Sequence, residues 1–167
     1  RCIFLDFETT GLQPGYQPVS ISWIEVDENF EKIDAVTQLL NPGIPIEPGA
    51  SKIHGISAEH VKDEPSLEEF LFEVLHDPFE DSCLAVIGHN VEYDLRIFAK
   101  YYDASVTACT MSASRRVFPR FENHKLETVA QEFGIGTAGA HSSEVDVAIC
   151  YQVALKLLSA GQVLEID

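Results

Sequence analysis

The chain has 167 residues, 46% of them hydrophobic, and a formal net charge of −16. It is long enough for one domain with a real core, read as a single domain over 1–167, and no apolar run reaches membrane-spanning length, so no membrane partner is expected. Phosphate binding is driven by cations, so this charge taken alone argues against a nucleic-acid partner.

The chain enters its first strand at once, leaving no room for a signal peptide, and it lacks an initiating Met, as an excised domain would. Cys2, Cys83, Cys109 and Cys150 are widely spaced in apolar surroundings with no CxxC pair. They read as reduced core thiols of an intracellular, cytoplasmic protein.

Cys2-Ile3-Phe4-Leu5-Asp6-Phe7-Glu8 reads as a central strand, apolar on both faces, with two acids at its C-terminal end. Alternate residues of a strand share a face, so Asp6 and Glu8 point the same way. In open α/β sheets that end is where ligands bind; an isolated acid pair there equally describes the start of a polar turn.

Val19 to Asp27 and Ile33 to Leu40 are expected to form an antiparallel hairpin, with Trp23 in the core. Asn41 to Ser51, with three prolines and two glycines, reads as a surface loop. Ser66 and Glu69 match a capping box that starts a helix whose apolar stripe is Leu67, Phe70, Leu71, Val74 and Leu75. Cys83 to Ile87 suits a buried parallel strand broken by Gly88-His89-Asn90, with a helix from about Val91. A short strand is expected near Val106 to Cys109, then helices over Lys125 to Phe133 and Ser142 to Leu158, the last capped by Ser142 or Ser143.

Two acids interrupt apolar stripes. Asp94 aligns with Ile97, Phe98 and Tyr101, and Asp146 with Ile149, Cys150, Val153 and Leu157. A buried, unpaired carboxylate is strongly unfavourable, so each needs a cation, a proton or dense hydrogen bonding. If both helices pack beside the first strand, four carboxylates converge. Two like charges about 4 Å apart repel by roughly 4 kcal/mol at an effective dielectric near 20, so four require divalent cations to stay ionised together. Oxygen-only donors point to Mg²⁺ or Mn²⁺ and away from zinc. Such a cluster could hold two ions about 3.5 to 4 Å apart, the arrangement that serves phosphoryl transfer. His141 follows the glycine-rich Gly134 to Ala140 and precedes Asp146 by five residues. There it is a candidate general base; alone, it is an ordinary surface histidine.

Between Arg96 and Lys125 six basic residues face two acids, a local +4 that leaves −20 for the rest. The cluster reads either as a solvated helical face or as a track for a nucleic-acid backbone.

In order, Asp6-x-Glu8, His89-Asn90-x-x-x-Asp94 and His141-x-x-x-x-Asp146 resemble the DEDDh branch of the 3′-to-5′ exonucleases, which includes bacterial proofreading subunits, exonuclease X and RNase T. Thr9-Thr10-Gly11, Ile53-His54-Gly55-Ile56 and Cys109 to Pro119 extend the likeness; Tyr93 stands where many members have Phe. The resemblance implies an α/β, RNase H-like mixed sheet of about five strands flanked by helices. It implies Asp6, Glu8, Asp94 and Asp146 as ligands of two divalent cations and His141 as the base. Asn90 would hold the terminal nucleotide, and Thr9, Thr10, Gly11 and Leu12 would face its 3′ end. Arg115 and Arg116, with Arg120 and Lys125, would guide the backbone. His54 and His89 read as satisfying loop hydrogen bonds; His60, His76 and His124 read as surface residues.

The expected partner is a nucleic acid with a free 3′ end, DNA rather than RNA. Two Mg²⁺ ions raise the charge only to −12, so weak, distributive binding is expected unless a polymerase or other tethering subunit supplies grip. The alternatives are an RNA-trimming relative of RNase T, an inactive nucleic-acid-binding scaffold module, or an acidic surface adapted to high salt.

Overall fold

In the computed structural model, residues 1–74 and 84–160 are described. Their strands form one five-stranded sheet in the order β3-β2-β1-β4-β5. Strand β1 (Cys2–Thr9) lies at its centre, antiparallel to β2 (Pro18–Val26) and parallel to β4 (Ala85–Gly88). Strand β3 (Lys32–Leu39) closes the expected hairpin on one edge, and β5 (Val106–Cys109) runs parallel to β4 on the other.

The alternation along β1 decides the layout. Ile3, Leu5 and Phe7 enter a cluster with Trp23, helix α3 (Leu67–Val74) and helix α4 (Glu92–Phe98). Phe4, two residues before Asp6, enters the opposite cluster with helix α6 (Leu126–Glu132) and helix α7 (Ser143–Ser159). Asp6 and Glu8 therefore continue the face of β1 that α7 covers.

The capping box at α3 is formed in both directions: Ser66 Oγ accepts the Glu69 N–H at 3.2 Å, and the Glu69 carboxylate accepts the Ser66 N–H at 2.8 Å. Leu67, Phe70 and Leu71 are buried as expected, whereas Val74 is exposed. Leu75, His76 and Cys83 lie outside the described residues.

Three helices depart from the sequence expectations. Helix α1 (Pro48–His54) occupies part of the expected Asn41 to Ser51 loop; it starts at a proline, whose missing N–H costs nothing in a first turn, and buries none of its residues, so no apolar stripe announces it. Helix α2 (Ala58–Val61) is one short turn. Helix α5 (Thr110–Val117) buries Thr110, Ala113 and Ser114, small or polar residues that leave no hydrophobic period. Tyr101 lies beyond the end of α4 and is exposed, so the Asp94 stripe ends at Phe98. Neither serine caps α7 with its side chain: Ser142 makes no such bond, and Ser143 turns to the sheet. Cys2, Cys109 and Cys150 are free thiols.

Candidate active site

Asp6 and Glu8 come from the end of β1 and Asp146 from the first turn of α7, and one carboxylate oxygen from each lies within 4.8 Å of the others. Burial, then the charges of Asp94, Asp146 and Glu8, hold the Asp6 carboxyl well above the usual range. Burial and the neighbouring Asp146 raise Glu8 to about 7. Burial also raises Asp146, opposed by the His141 N–H that it accepts. A compact set of oxygen donors that cannot all ionise near neutral pH by themselves fits a hard divalent cation.

Asp94 takes a different position. It is 3% exposed, and its Oδ1 accepts the backbone N–H of Phe7 at 3.1 Å. Burial pushes its carboxyl up to about 8, against the pull of that bond. It is not one of the close trio, but it is near enough for its charge to act on Asp6.

His141 is exposed and left-handed at φ 71°, a conformation that costs a non-glycine residue on the order of 1 kcal/mol. Its backbone N–H reaches both Asp146 oxygens, at 3.2 and 3.4 Å. Its Nε2 lies 3.5 Å from Glu127 Oε1 on α6. Glu127 was not legible beforehand, because its partner is distant in sequence and its own position is an ordinary solvent face.

Asn90 is also left-handed, at φ 67°, where an Asn side chain is tolerated. It lines a cavity of about 280 Å³ together with Cys109, Ser112, Arg115 and Arg116. Both arginines thus share a cavity with Asn90; Arg120 and Lys125 are exposed and do not line it.

The segment after β1 is tied from several sides. Tyr93 Oη lies 2.8 Å from Thr9 Oγ1 and donates to the Gly11 carbonyl at 3.1 Å, while its ring stacks on Tyr16 at 4.8 Å. The Thr10 N–H donates to Gln17, and the Glu47 N–H to Thr10, both at 2.8 Å. His54 Nδ1 accepts the Ile56 N–H, so its Nε2 carries the proton donated to the Thr9 carbonyl at 3.2 Å. Leu12, at the end of this segment, is 80% exposed.

His89 is held similarly. Its Nε2 donates to the His124 carbonyl and its Nδ1 meets Thr110 Oγ1, both at 2.8 Å. Burial pushes it down to about 4, so it is neutral. Both His54 and His89 thus satisfy loop hydrogen bonds as expected. His124 departs from its expected surface position: it is half-buried, with Nδ1 3.0 Å from Ser114 Oγ. His60 is exposed, its Nδ1 accepting the Ser57 N–H.

A family model described as Exonuclease, of the RNase T type, matches residues 3–154. The chain belongs to this exonuclease family. It is 26% identical over 164 residues to the DNA polymerase III subunit epsilon of Aquifex aeolicus (strain VF5), covering 93% of this chain and 79% of that protein. It is 28% identical to the PolC-type DNA polymerase III of Caldanaerobacter subterraneus subsp. tengcongensis, covering 96% of this chain but only 12% of that much longer protein. Among solved structures, exonuclease X in complex with 5′ overhanging duplex DNA superposes with a TM-score of 0.81 at 22% identity, covering 98% of this chain and 95% of the other. The sheet is RNase H-like, and the chain is a 3′-to-5′ exonuclease of the DEDDh branch, a phosphodiester hydrolase.

Proposed function

We propose that this chain is a single exonuclease domain that removes nucleotides one at a time from the 3′ end of DNA, releasing nucleoside 5′-monophosphates with the help of two divalent cations, Mg²⁺ or Mn²⁺. The observation that carries the proposal is the convergence of Asp6, Glu8 and Asp146 within 4.8 Å. These three would hold the ions, with Asp94, whose charge acts on Asp6, completing the set. When bound, such cations would supply a more acidic attacking water and charge neutralisation on the phosphodiester. His141 takes the proton from that water, its loop fixed to Asp146 by the backbone N–H and its ring steadied by Glu127. Asn90 and the Thr9 to Leu12 segment bind the terminal nucleotide, and Arg115 and Arg116 bind the strand's phosphates. DNA is preferred on the strength of the relatives, one a DNA polymerase subunit and one bound to duplex DNA. At −16 the protein gains little from long-range attraction, so a polymerase or other tethering partner supplies the grip.

The test uses 5′-labelled single-stranded DNA, single-stranded RNA and a duplex with a mismatched 3′ terminus, each with Mg²⁺, Mn²⁺ or chelator. A ladder shortening from the 3′ end of DNA, abolished by chelator and by Asp6→Ala, is the expected result. Full activity in chelator overturns the metal assignment, and faster trimming of RNA overturns the preference for DNA.

A further inference from the structure

The pairing of β1 with β2 sets Asp6 opposite Ser22 and Glu8 opposite Ser20. Cross-strand partners share a face, so the surface that carries the two acids also carries two serines one strand away. Both are buried. The hydroxyl that meets them belongs to Ser143, the first residue of α7, itself 2% exposed: its Oγ lies 2.9 Å from Ser22 Oγ and also bonds Ser20 Oγ. Ser22 in turn lies 2.9 Å from Thr37 Oγ1 on β3, which ties the group across the hairpin.

Ser143 and Asp146 are three residues apart, neighbours on one face of α7. A helix lying on a sheet through apolar contacts alone is free to slide or roll by small amounts, because such contacts are not directional. Hydroxyl bonds are directional, and a shift of one residue along the helix, about 1.5 Å, would break them. Relative to the sheet, α7 is therefore fixed at the point one turn before it delivers Asp146.

We propose that Ser143 is a positioning residue: by bonding Ser20 and Ser22 it sets the height and rotation of α7, so that Asp146 meets Asp6 and Glu8 at cation-binding distance. This rests on the metal reading of the three carboxylates and adds a residue outside them. It also explains why polar side chains occupy buried positions of β2, where an apolar residue would pack equally well. Groups that orient a ligand without touching the ion typically change metal affinity by 10- to 100-fold.

The experiment is Mn²⁺ binding to the substrate-free protein, followed by loss of the free-ion EPR signal, in the unaltered chain, in Ser143→Ala and in the Ser20→Ala/Ser22→Ala double variant. About tenfold weaker Mn²⁺ binding is expected in each, with nuclease activity recovering as metal concentration is raised. The triple variant should bind no more weakly than Ser143→Ala alone, because the three hydroxyls act as one unit. Ser66→Ala, which loses the distant cap of α3, is the control for simple destabilisation; it should lower the melting temperature and leave Mn²⁺ affinity unchanged. Unchanged affinity in a folded Ser143→Ala overturns the inference, and so does an equal loss in Ser66→Ala. If Ser143→Ala fails to fold, the double variant decides by the same criterion. An unaltered chain that binds no Mn²⁺ refutes the metal reading itself, and the inference with it; normal binding there and in both variants refutes only the role of Ser143.

Discussion

The carboxylate of Asp94 accepts the backbone N–H of Phe7 at 3.1 Å, linking the start of α4 to the residue between the two acids of β1. A single side chain therefore serves both the placement of β1 and the charge of the site. The two roles separate by substitution. Asp94→Asn keeps an acceptor for Phe7 and removes an ionisable group whose charged form repels Asp6. It should melt no lower than the parent in chelator and lose at least 100-fold in nuclease rate. Asp94→Ala leaves the Phe7 N–H unpaired and should cost a further 1 to 3 kcal/mol, or about 3 to 10 °C, by thermal denaturation.

Burial and neighbouring charge hold Glu8 and Asp94 at about 7 and about 8, whereas unfolded carboxyls ionise near 4. Across that range the folded chain binds more protons than the unfolded one, so stability falls as pH rises. His89 acts in the opposite sense: held at about 4, it contributes stability that is complete above its unfolded value near 6.5 and is lost as pH falls. A window from about pH 6.5 to 8.5 therefore isolates the carboxylates. In chelator the melting temperature should fall across this window by roughly 5 °C, about 2 kcal/mol. Excess Mg²⁺ should flatten or reverse the trend, and a rise in chelator alone would contradict it.

The His141 side chain and backbone act separately, because it is the backbone N–H that holds Asp146. His141→Ala should lower the rate by about 10² to 10⁴ while leaving Mn²⁺ affinity within twofold. Glu127→Gln replaces a half-exposed carboxylate 3.5 Å from the His141 ring and should cost only a few-fold in rate. Loss of Mn²⁺ binding in His141→Ala would show that the imidazole serves the metal site and not the proton.

Tyr93→Phe retains the stack on Tyr16 and deletes the hydroxyl that holds Thr9 and Gly11. The net cost in stability should be about 1 kcal/mol. Because this segment binds the 3′ terminus in the proposed function, KM should rise several-fold with kcat nearly preserved; an unchanged KM removes the segment from substrate binding.

Arg115 and Arg116 share a cavity with Asn90, and Arg120 does not. The Arg115→Ala/Arg116→Ala variant should therefore weaken single-stranded DNA binding and reduce the slope of log K against log salt by about 0.7 for each phosphate that is no longer neutralised. Arg120→Ala should do so less. Equal effects would point to a diffuse basic surface.

Much of the site was legible because the relevant rules act within one element. Period-two alternation put Asp6 and Glu8 on the face of Phe4, and the 3.6-residue period exposed Asp94 and Asp146 as acids in apolar stripes. The box at Ser66 and Glu69 was readable from three residues of spacing. Helices α1 and α5 were not readable, since one buries nothing and the other buries threonine, alanine and serine. The roles of Glu127 and of Ser143 beyond a candidate cap are not legible in the sequence, because their partners are distant along the chain.

The sequence by itself determined the chemistry of the donors and the face each occupies on its own strand or helix. Only the tertiary structure decided that Asp6, Glu8 and Asp146 form the close set while Asp94 binds the Phe7 N–H. The physical reason is that periodicity fixes rotation within an element and carries no information about the offset between elements. That offset comes from contacts between residues far apart in the chain, here the Asp94 bond to β1 and the Ser143 hydroxyl bonds to β2.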